Sequence, residues 1–139
     1  MPSVAWKQIE RVILGVGILG ACAALATGDT AEHFAHPARA LVEMHSNVAA
    51  LATWIYGAIL AGEILAFGNQ KYASKFSPKN WIVKLSRFGE KVLYNQVVAK
   101  ILAFLGFIAI ALTGLLGGAM VYGASADPIA AFVLKLLGV

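Results

Sequence analysis

An all-helical integral membrane protein is what this chain predicts, and three observations carry that expectation. Of 139 residues, 60% are hydrophobic and only 13% charged, with a mean hydropathy of +0.77; soluble domains carry roughly 25% charge. The apolar residues fall in long uncharged runs. The basic residues gather in one segment between two of those runs. A net charge of +4 raises nucleic acid as a partner, but this clustering has a simpler cause, the retention of Lys and Arg on the cytoplasmic side of a membrane. Nucleic-acid binding is set aside. The length fits a single membrane domain, residues 1–139.

The first spanning helix is expected at about 9–28. Pro2-Ser3 offers a start, Trp6, Lys7 and Arg11 form an interfacial anchor, and residues 12–27 carry no charge. No small-x-small cleavage site follows Lys7, Glu10 and Arg11, so the run is kept as a helix and not as a signal peptide. Cys22, the only cysteine, sits within it and is expected to act as a small buried hydrophobe. Gly28 is expected to stop the helix. Residues 29–39 then form a polar connection, with Pro37 placed to open the next helix.

The second span is expected at about 40–67, with an uncharged centre at 46–62. Gly57/Ala61 and Ala58/Gly62, four apart, give it the small-xxx-small pattern of close helix contact. Residues 69–100 hold Lys71, Lys75, Lys79, Lys84, Arg87, Lys91 and Lys100 against Glu90 alone. That balance makes the segment cytoplasmic, puts the N-terminus on the same side and leaves the first connection external. Within it, Ser77-Pro78 opens an amphipathic helix at about 78–95. Its Trp81, Leu85, Phe88 and Val92 share one face, Lys84, Arg87 and Lys91 take another, and it is expected to lie on the cytoplasmic membrane surface or dock a soluble partner. The third span, about 97–124, includes the longest uncharged run, 101–126, and the GxxxG pair Gly114 and Gly118. Asp127-Pro128 is expected to break it. The remainder, with Lys135, is too short to span and reads as a short C-terminal interfacial or re-entrant helix, or one packed in a groove of a neighbouring subunit.

Candidate chemistry centres on residues 29–63, which hold all three histidines and four of the seven acids. Ionisable groups at membrane depth are costly and mark function by default. His45 and Glu63, 18 apart, fall on one helical face with Ala49, Ala52, Tyr56 and Ile59 between them, and the alanines leave room beside His45 for a flat group such as a porphyrin. His45 with His36 or His33 would make a bis-histidine b-type haem site. The same three imidazoles, with Asp29, Glu32 and Glu43 nearby, suit zinc or copper. In the plainer alternative the alanines admit a neighbouring helix, His45 hydrogen-bonds at that interface, and His33 and His36 are solvated in a polar loop. The serines lack a nucleophile elbow and the glycines lie within apolar helices instead of a phosphate loop, which argues against an independent enzyme.

Two stretches resemble a family of small bacterial inner-membrane proteins known only as a predicted membrane domain of unknown function. One is Gly117-Gly118-Ala119-Met120-Val121-Tyr122-Gly123, similar to the glycine pair, Val-Tyr and further glycine that end the family's last spanning helix. The other is residues 24–29, ALATGD, followed by His45-Ser46-Asn47 at a helix entry. The resemblance implies a polytopic inner-membrane protein. It departs in lacking the family's usual first helix, since the only His-Pro, His36-Pro37, lies in the first connection.

Two functions are therefore expected in competition. One is an electron-transfer subunit of a larger inner-membrane complex, binding haem b near the outer surface. The other is a non-catalytic accessory subunit, packing on other membrane subunits or on itself through Gly57, Ala61, Gly114 and Gly118.

Overall fold

The computed structural model describes residues 2–35, 38–72, 81–123 and 127–138, with 2–5 and 29–35 described by backbone alone. These residues form five helices and, among them, no strand: α1 (Pro2–Ala35), α2 (Arg39–Tyr72), α3 (Trp81–Leu93), α4 (Gln96–Tyr122) and α5 (Pro128–Leu137). Three are long and apolar enough to cross a membrane: α1 over Trp6–Gly28, α2 and α4.

The helix ends follow local chemistry, and two differ from expectation. The apolar part of α1 stops at Gly28 but the helix continues to Ala35. Gly28 is not among the glycines with positive φ, so it does not cap, and the good helix formers Ala31 and Glu32 carry the helix on. At the far end of α4, Gly123 adopts φ 88° and donates its N–H to the Ala119 carbonyl at 3.0 Å, closing an αL cap. It is this glycine, and not Asp127-Pro128, that ends the span. Asp127 instead caps α5: its side chain accepts from the Ile129 N–H at 2.8 Å with Pro128 in the first turn. Asn95 does the same for α4, accepting from Val97 N–H at 2.9 Å, and so separates α3 from α4.

The chain divides into two compact units. Unit 1 comprises Met1–Leu19 and Trp54–Leu105. There α3 is fastened to α2 by the face holding Val83, Ser86, Gly89, Glu90 and Leu93: Ser86 donates to Asn69 Oδ1 at 2.8 Å and Asn69 Nδ2 to Glu90 Oε2 at 2.6 Å. Gly62 lets Leu93 in so closely that a Cβ there would lie 2.8 Å from the leucine's Cβ, and Gly89 meets Leu65 in the same way at 3.0 Å. At 100° per residue the expected apolar row of Trp81, Leu85, Phe88 and Val92 lies about 130° around the helix from this packed face. It is exposed, Trp81 by 71% and Phe88 by 66%. Lys84, Arg87 and Lys91, also exposed, occupy the third side.

Unit 2 comprises Gly20–Thr53 and Gly106–Val139. Its core is Leu116, Ala119 and Leu134, with Leu41, Met44 and Val48 packed against them, so α5 sits on α4 and α2 of its own chain. Leu116 is fully buried. Cys22 is exposed on α1, contrary to the buried role expected for it; the glycines near it, Gly17 and Gly20, likewise meet nothing within 4 Å of an added Cβ.

Candidate functional site

Two polar constellations stand out, one in each unit. In unit 2 the His45 ring is half-buried between α2 and α4, with Nδ1 3.0 Å from the Thr113 carbonyl oxygen. A carbonyl only accepts, so Nδ1 carries the proton and donates, and in the neutral imidazole the lone pair is on Nε2. The ring fits because position 117 is glycine: a Cβ there would stand 3.3 Å from His45 Cε1. Thr113 turns its own hydroxyl back to the Ala109 carbonyl at 2.8 Å, leaving its backbone oxygen to face the histidine. Ala52, one of the alanines on the His45 face, is buried.

Most of the other expected ligands lie outside what the structure describes. His36 lies outside the described residues, as do the side chains of Asp29, Glu32 and His33 in the backbone-only stretch of α1. Glu43 is exposed. Among the described residues no three His, Cys, Asp or Glu side chains come together as a metal site would require. Unit 2 has a groove of about 360 Å³ bordered by Gly114, Gly118, Tyr122 and Asp127, and another of about 430 Å³ along Ala40, Met44 and Asn47; His45 lines neither.

The four positions expected to pack helices divide differently. A Cβ added at Gly57, Gly114 or Gly118 would meet nothing within 4 Å, and Ala61 is exposed. Among the described residues the close approaches occur at Gly62, which the Ala58/Gly62 pair had marked, and at Gly89 and Gly117.

In unit 1 the polar centre is an ion pair. Arg11 Nε donates to Glu63 Oε2 at 2.8 Å, with the carboxylate side chain 11% accessible and the arginine 25%. One turn earlier on α1, Lys7 donates to the Tyr94 hydroxyl and stands 5.1 Å from that ring's centre. Arg11 and Lys71 flank Phe67 at 5.2 and 5.7 Å from its centroid. Tyr56, expected on the His45 face, reaches towards the Ala103 carbonyl at 3.4 Å. Sequence reasoning singled out Glu63 but not its partner, because 52 residues separate the two. The available signal was composition: Arg11 and Glu63 are the charges that intrude furthest into otherwise apolar helices, and such charges pair in low dielectric.

Compared with known proteins, the chain matches no family model, and neither a curated protein nor a solved structure is significantly similar to it.

Proposed function

We propose that the chain is a membrane-embedded subunit that assembles with another membrane chain through the glycine seam of α4. The observation that carries this reading is the open space beside Gly114 and Gly118: one turn apart on an apolar helix, neither has, among the described residues and beyond the backbone of its own helix, an atom within 4 Å of where a Cβ would lie. In lipid, helices associate where small residues let backbones approach, and a seam of this kind costs helix propensity unless something packs on it. Gly57 and Ala61 on α2 offer a second such row.

Orientation follows from charge. The unit 1 segments hold nine Lys and Arg against three acids, and the unit 2 segments two against four. On the positive-inside rule the N-terminus and α3 are cytoplasmic in a bacterial inner membrane, the 29–39 connection is external, and α3 lies on the membrane surface with Trp81, Leu85 and Phe88 towards lipid. The test is the size of the detergent-solubilised protein. The native chain should run as an oligomer or carry a partner, and Gly114→Leu/Gly118→Leu should run as a monomer of unchanged helix content. A native chain that is monomeric and alone overturns the reading.

A second reading, b-type haem ligation in an electron-transfer subunit, is favoured by the held tautomer of His45. Ligating histidines commit their other ring N–H to a carbonyl or carboxylate, which is the arrangement at Thr113. His45, through Nε2, with His36 or His33 would hold the group, and the bound group would supply one-electron chemistry. Zinc or copper on the same histidines is the alternative metal. A reduced-minus-oxidised spectrum with haem bands lost in His45→Ala, together with metal analysis, separates this reading from the first.

A further inference from the structure

We propose that Lys7, Arg11 and Lys71 bind the phosphate of an anionic phospholipid headgroup on unit 1. The proposal rests on the membrane reading above. Around Phe67 and Tyr94 the structure places three cations, of which one, Arg11, is ion-paired. Arg11 uses its Nε on Glu63, and Arg11 and Lys71 both stand within 6 Å of the Phe67 ring centre. Lys7 lies one helical turn from Arg11, its ammonium on the Tyr94 hydroxyl. Glu63 pairs with Arg11, and among the described residues neither lysine has a carboxylate partner.

The surroundings decide which anion meets these cations. Phe67 is 48% exposed and Trp6, beside Lys7, 70%, so the cations border apolar surface and not a polar cleft. Aromatic rings with Lys and Arg mark the depth of lipid headgroups, and basic clusters between apolar helices are where anionic headgroups dock. Arg11, pinned by Glu63, presents its remaining guanidinium N–H groups in a fixed fork suited to phosphate oxygens, while the two lysines add charge on flexible stems. A free phosphate would meet the same cations but gain nothing from the flanking aromatic surface.

The test uses the full chain in phosphatidylcholine nanodiscs with and without phosphatidylglycerol, and native mass spectrometry of lipids retained after release. Phosphatidylglycerol should be retained preferentially, and Lys7→Gln and Lys71→Gln should each weaken that preference about fivefold. Neither lysine is part of the ion pair, so both variants should keep native helix content. Equal retention of the two lipids, or an undiminished preference in both variants, overturns the proposal. So does competition by inorganic phosphate as effective as by the lipid, which would indicate a free-phosphate site. Alkaline carbonate extraction separates the two levels of failure. A chain released into the supernatant defeats the membrane reading itself, whereas a chain that stays in the membrane without lipid preference defeats only this inference.

Discussion

The two units are held by different forces. Unit 1 is tied by polar pairs between distant segments: Arg11 to Glu63, Lys7 to Tyr94, Asn69 to Glu90 and Ser86 to Asn69. Unit 2 is held by Leu116, Ala119 and Leu134 in close apolar contact, with the hydrogen bond from His45 Nδ1 to the Thr113 carbonyl as a polar link between helices; no ion pair occurs there among the described residues. Apolar packing is forgiving of partner and sensitive to volume, while charged pairs are specific and costly to break. The unit dense in cations is thus also the one whose stability depends on charge being matched.

The largest effect should come from breaking that match. Glu63→Ala leaves the Arg11 guanidinium without its carboxylate and should destabilise by about 4 kcal/mol. The double variant Arg11→Met/Glu63→Leu should recover most of the loss, as measured by reversible unfolding in mixed micelles. Failure of the double variant to recover would show that the charges act through something other than each other. Leu116→Ala, the corresponding test of unit 2, should cost about 3 kcal/mol in the same assay, through the cavity it leaves. Gly62→Ala sharpens the comparison by overpacking instead of unpairing. Its Cβ meets both the side chain and the backbone of Leu93, which cannot both withdraw, and the expected cost is about 2 kcal/mol. Gly117→Ala should be milder, about 1 kcal/mol or less, since the His45 ring can shift by a few tenths of an ångström. Its more telling readout is the NMR shift of the imidazole, which should move while the signals of Lys7 and Tyr94 stay in place.

Much of the helical layout is legible in the chain itself, because uncharged runs of about 20 residues have few other uses. The helix ends are less so. Gly28 invites a stop, yet Ala31 and Glu32 favour helix, so α1 outruns its apolar part. The inner face of α3 escapes a search for hydrophobic periodicity for a related reason. That search finds the row of Trp81, Leu85 and Phe88, whereas the row that packs holds Ser86, Gly89 and Glu90, small and polar residues chosen to meet Asn69 and Leu65. Of the candidate site, His45 was identifiable as a polar residue at a helix entry. Its contact with Thr113 was not, because nothing local announces a partner 68 residues away.

That same separation in sequence bears on how the chain is made. Arg11 leaves the ribosome 52 residues ahead of Glu63, a lag of about 3–10 s at ordinary rates of synthesis. During that interval the guanidinium lacks the carboxylate it pairs with in the finished fold. The ion pair that joins α1 to α2 therefore forms only after most of α2 has been made.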